Sequence, residues 1–91
     1  MAAQFVTQTW EVPKLGELRF NAPPDGLVRL TLVEGTAEVF GAELLRSERE
    51  KGAPREYIFG DQSVAVYTYY GCTVVLEGEV DGAYVAARTP V

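Results

Sequence analysis

The chain has 91 residues, enough for one domain with one modest core. A hydrophobic fraction of 47% excludes a disordered chain, and no apolar run reaches the ~20 residues of a membrane-crossing helix. The net charge of -5 argues against an autonomous nucleic-acid binder, which needs a basic surface, and the lack of histidine removes the commonest general base and metal ligand.

The N-terminal stretch MAAQFVTQTWEV lacks the basic start and apolar core of a signal peptide, so an intracellular protein is expected. A single cysteine, Cys72, agrees with that, because it cannot close an internal disulfide. Zinc would have to be held by carboxylates and one thiol, a poor donor set.

Turn residues divide the chain into short pieces of period-two character, which predicts an all-β fold. Eight strands are expected, near Phe5–Val12, Glu17–Ala22, Val28–Val33, Ala37–Leu45, Glu56–Phe59, Val64–Tyr69, Thr73–Glu77 and Ala83–Ala87. Short strands at this spacing indicate a small antiparallel β-sandwich of jelly-roll type or a barrel. In the second strand Leu18 and Phe20 point one way, Glu17 and Arg19 the other. In the third, Val28, Leu30 and Leu32 alternate with Arg29, Thr31 and Val33. The sixth, with Val64, Val66 and Thr68 opposing Ala65, Tyr67 and Tyr69, is apolar or aromatic on both sides, as a strand covered on both faces would be. Gly41, inside the fourth piece, predicts a bulge or sharp turn after Phe40 that starts Glu43 and Leu44 in a new direction. The mixed-charge segment Arg46–Glu56 reads as an exposed loop, either merely solvated or a docking element.

Several residues could carry chemistry, and each has a plainer reading. Glu77 and Glu79 share one face of a strand and could form an acid–base pair, but such spacing is common on solvated faces. Cys72 could be a nucleophile only with a nearby cation to stabilise its thiolate, and a small buried hydrophobe is the simpler role. Tyr67, Tyr69 and Tyr70 could stack bases, yet their neighbours are neutral or acidic, which favours packing at the core and rim. Neither G-x-x-x-x-G-K-[ST] nor G-x-G-x-x-G occurs, so these residues hold no phosphate cradle. A cupin-like enzyme would require a histidine cluster.

An ordered set of short motifs adds to this reading. Glu17-Leu18-Arg19-Phe20 is followed by the run from Gly35 to Leu44, GTAEVFGAEL, then by Tyr57-Ile58-Phe59. Next come the run from Val64 to Cys72, VAVYTYYGC, then Ala83-Tyr84-Val85, and finally Thr89-Pro90-Val91. The series resembles the N-terminal domain of the Clp-type polyribonucleotide 5′-hydroxyl kinases, the ATP-binding subunit of the eukaryotic pre-mRNA 3′-end cleavage factor. In that family the pattern runs E-L-R-F, G-x-A-E-I-F-G-x-E-L, Y-x-F, V-A-V-F-T-W-x-G-C, A-Y-V, T-P-M. The match spans Glu17 to Val91, with Tyr69 in place of tryptophan and Val91 in place of methionine.

The resemblance implies that residues 1–91 form a single N-terminal β-sandwich domain of a longer parent. The parent's central P-loop domain and C-terminal domain would lie beyond it. ATP and Mg2+ would be bound by the full-length parent and not by this fragment alone. The fragment itself would not be an enzyme, although the parent resembles an ATP-dependent RNA kinase. Implied partners are the central P-loop domain and other cleavage-factor subunits, with RNA reached only through the parent and no membrane. A nuclear location, in pre-mRNA 3′-end cleavage and polyadenylation or in tRNA splicing, follows from the same likeness. Implied nucleotide-binding residues are Glu17, from the adenine-contacting glutamate of E-L-R-F, and Ser63, which stands where the family has a basic residue before V-A-V-F. A serine supplies no charge, so that second contact is weakened. The alternative is a non-catalytic scaffold for protein assembly.

Overall fold

A computed structural model describes residues 5–46 and 56–87. Seven strands make up its regular structure: β1 (Val6–Val12), β2 (Gly16–Gly35), β3 (Glu38–Val39), β4 (Ala42–Glu43), β5 (Tyr57–Tyr67), β6 (Cys72–Gly78) and β7 (Asp81–Ala87). All pairings are antiparallel, and no helix occurs among the described residues.

The expected all-β sandwich is present, with two revisions to its strands. Glu17–Ala22 and Val28–Val33 belong to one strand of 20 residues, β2. The Pro23-Pro24-Asp25-Gly26 cluster does not end it. Ala22 faces Gln62 and Leu27 faces Gly60, so those four residues bulge opposite Asp61 alone. Prolines are tolerated there because a bulge interrupts the ladder anyway. Similarly, the pieces expected at Glu56–Phe59 and Val64–Tyr69 run together as β5.

This corner folds one continuous sheet into two layers. The first half of β2 pairs with β7 on one side and the second half of β5 on the other, and β3 continues the layer to β4. Its second half pairs with β6 and with the start of β5, and β1 closes the edge beyond β6. Alternation then sends Leu18, Phe20, Val64 and Val66 inward from one layer and Val28, Leu30, Leu32, Val74 and Leu76 from the other. Phe20 meets Phe59 edge to face at 6.1 Å across this core.

Gly41 does the shaping work expected of it. Phe40 and Gly41 have φ of 52° and 79° and join the two-residue strands β3 and β4, with Val39 opposite Ala42. Two central residues with positive φ make the reversal that fits the twist of a short hairpin. A Cβ on Gly41 would meet nothing within 4 Å, so backbone conformation alone selects glycine.

Candidate functional site: the outer face of β7, β2 and β5

The first half of β2 turns Glu17, Arg19 and Asn21 away from the core. Directly opposite residues on paired antiparallel strands lie on the same face. Glu17 is therefore flanked by Tyr67 on β5 and Ala86 on β7, Arg19 by Ala65 and Tyr84, and Asn21 by Ser63 and Asp81. The two residues implied to bind nucleotide, Glu17 and Ser63, thus share one outer face without touching. Four residues of strand separate their rows, about 13 Å at ~3.3 Å per residue. A long basic side chain at position 63 could span part of that distance, whereas the Ser63 hydroxyl instead donates to Asn21 Oδ1 at 2.6 Å.

Glu17 is unusually enclosed for an outward residue, its side chain being 15% exposed. Arg19 explains much of this. Its Nε and Nη2 both donate to Glu17 Oε1, at 3.1 and 2.6 Å. The carboxylate raises the pKa of Arg19 further, with Tyr84 adding a second hydrogen bond in the same direction. Beside this pair, Arg19, Asn21, Ser63, Tyr84 and Phe40 line a shallow cleft of about 370 Å3. The arrangement offers a carboxylate acceptor, a fixed guanidinium and hydroxyls on a rigid sheet. It can recognise amine and carbonyl edges of a ligand, and it presents no nucleophile–base pair.

The other candidates fall elsewhere. Gly78, with φ of 132°, ends β6, so Glu79 lies beyond the strand that carries Glu77 and the two form no pair on one strand face. Glu77 instead approaches Arg29 at 3.7 Å. Cys72 is buried in the core, and burial pushes its thiol pKa up against a smaller opposing effect of a Thr68 hydrogen bond. That is the environment of a small hydrophobe, not of a thiolate. Tyr67 is half-buried, whereas Tyr69 and Tyr70 are exposed at the rim and meet edge to face at 4.9 Å. Nor is β5 covered on both faces, because Ala65 is exposed. Among the described residues no cluster of three or more His, Cys, Asp or Glu could hold a metal. The span 47–55, most of the expected charged loop, and the Thr89-Pro90-Val91 motif lie outside the described residues.

Arg19, Asn21 and Tyr84 are site members that sequence patterning does not single out. Period-two spacing puts Arg19 on the face of Glu17, but its pairing with Tyr84 depends on the return of β7 beside β2, which alternation does not encode.

By fold and surface, this is an antiparallel sandwich domain with one polar, clefted outer face. Residues 11–91 match the family model described as the N-terminal beta-sandwich domain of polyadenylation factor. Over 83 residues the chain is 40% identical to the polyribonucleotide 5′-hydroxyl-kinase Clp1 of Danio rerio, covering 90% of this chain and 17% of that protein. Its human counterpart is 38% identical over 88 residues, covering 93% of this chain and 19% of that protein. A solved structure of wild-type Clp1p in complex with Pcf11p (454–563) superposes on 96% of the chain and 19% of its own length, with a TM-score of 0.74 at 16% identity. A second, of Clp1p with an extended Pcf11p interface, gives 0.73. The chain belongs to the Clp1 family, as its N-terminal β-sandwich domain, and spans less than a fifth of the relatives it matches.

Proposed function

We propose that this domain packs on the central P-loop domain of a full-length Clp1-type protein and helps enclose ATP, with Glu17 accepting a hydrogen bond from the adenine amine. The observation that carries this is the state of Glu17. Its carboxylate is largely enclosed on an outward face, and both bonds from Arg19 end on Oε1. Oε2, which Arg19 does not engage, would be the acceptor that an exocyclic amine needs. The residues here fit the base alone. Phosphates and Mg2+ would be held by the P-loop domain, in keeping with the lack of a glycine-rich cradle in this chain. Ser63, hydrogen-bonded to Asn21, would line the neighbouring cleft without contributing charge.

Kinship supports this reading: similar proteins are polyribonucleotide 5′-hydroxyl-kinase Clp1 of several animals, and the matching family model describes a domain of polyadenylation factor. Within our reading the parent acts in the nucleus, in pre-mRNA 3′-end cleavage and polyadenylation or in tRNA splicing. It does so beside a Pcf11-type partner and other cleavage-factor subunits, and this domain reaches RNA through the parent only. The test is the ATP dissociation constant of the full-length protein carrying Glu17→Ala. Loss of a charged hydrogen bond weakens binding roughly tenfold or more. An unchanged constant contradicts the adenine contact.

A second reading, a docking scaffold, is favoured by the exposed rings of Tyr69 and Tyr70. It predicts that Tyr69→Ser with Tyr70→Ser abolishes assembly with the partner while ATP binding is intact.

A further inference from the structure

Arg19 sits at the centre of the outer face, between Tyr84 of β7 and Ala65 of β5. It both grips Glu17 and lines the adjoining cleft. Its grip is lopsided. A guanidinium commonly meets a carboxylate fork to fork, one nitrogen to each oxygen. Here Nε and Nη2 converge on Oε1 alone. Such a contact fixes the carboxylate side chain and spends one of its oxygens, so the other has a defined direction. Glu17 and Arg19 share a strand face two residues apart, so the geometry is built into β2 and needs no partner to form.

We infer that Arg19 is a positioning residue that aims Glu17 Oε2 at a 6-amino purine and thereby sets a preference for adenine over 6-oxo purines. The inference rests on the adenine contact proposed for Glu17. A fixed carboxylate accepts from the amine of adenine and repels the carbonyl that hypoxanthine presents at the same position. A freely turning carboxylate would pay its ordering cost on binding, and could turn its charge away from the carbonyl.

The test compares ATP with ITP, which share the ribose and phosphates and differ in the 6-amine against the 6-carbonyl and in the proton that ITP carries on the adjoining N1. Dissociation constants of both are measured for the full-length protein as wild type, Glu17→Ala, Arg19→Met, Arg19→Lys and the Glu17→Ala, Arg19→Met double variant. We expect Glu17→Ala to shrink the ATP-over-ITP preference roughly tenfold. Arg19→Met shrinks it several-fold, Arg19→Lys recovers part of the loss, and the double variant is no worse than Glu17→Ala alone. A merely structural role would change both nucleotides together and leave the ratio alone. An Arg19→Met protein with the wild-type ratio, or a double variant in which the two losses multiply, overturns the inference while leaving the Glu17 contact standing. If Glu17→Ala itself leaves the ratio unchanged, the adenine contact falls and the role of Arg19 falls with it.

Discussion

Two arginines stand on the outside of the same strand, ten positions apart, and they differ in what holds them. Arg29, on the second half of β2, reaches Glu56 at 3.8 Å and Glu77 at 3.7 Å; its side chain is 55% exposed, close to the 51% of Arg19, so the two differ in contact and not in exposure. Arg19, on the first half, closes on one oxygen of Glu17 at 2.6 Å and borders a cleft. Beneath them the strand is alike: Leu18 and Leu30 are both fully buried. At these two positions the interior is alike, and the distinction between the arginines lies on the outer face. Loose, exposed ion pairs such as those of Arg29 contribute little to stability. A tight pair that encloses a carboxylate is better understood as a site.

That comparison can be broken first at the core. Leu18→Ala and Leu30→Ala should each cost about 2–5 kcal/mol and agree to within about 1 kcal/mol, as read by denaturant unfolding. A large inequality would mean the halves are not equivalent inside. Next comes the hairpin that belongs to the first half's layer alone, through β3 and its pairing of Val39 with Val66. Gly41→Val should cost about 1–2 kcal/mol, because the left-handed backbone disfavours a branched side chain although space is open. Equal thermal stability would refute the shape role of Gly41.

Cys72 gives a smaller, pH-dependent effect. Its thiol is held neutral in the fold, so the unfolded chain ionises first. The stabilisation is complete below the unfolded thiol pKa of about 8.5 and is lost as pH rises through the folded value. The melting-temperature gap between wild type and Cys72→Ala should narrow across that alkaline range. A constant gap would contradict the buried thiol. Smallest of all, Arg29→Met should shift unfolding by no more than about 0.5 kcal/mol, which fresh denaturation curves would resolve from a structural ion pair.

Much of the interior was legible in the sequence. Alternation identified Leu18 and Phe20, and Val28, Leu30 and Leu32, as inward residues, and all are buried. Continuity was not legible, because Pro-Pro-Asp-Gly reads as a break whether the chain turns away or only bulges. At the hairpin, Gly41 announced a turn, but nothing in a phenylalanine announces the positive φ of Phe40. The outer site was half legible. Glu17 and Arg19 could be placed on one face by period two, whereas the enclosure of Glu17 comes from Arg19 folding back onto one oxygen and from strands that return far along the chain.

The claim that the Glu17 face is the one turned to the rest of the protein is open to direct measurement. In a full-length background with Cys72 and every other cysteine of the parent replaced, single cysteines would be placed at Ala65, on the outer face beside Arg19, and at Val33, exposed on the other half of β2. Thiol labelling would then be timed with and without ATP. The account predicts slow labelling of Ala65→Cys, slowed further by ATP, and fast labelling of Val33→Cys in both conditions. Equal, ATP-independent labelling at the two positions, or protection of Val33→Cys in place of Ala65→Cys, would contradict it.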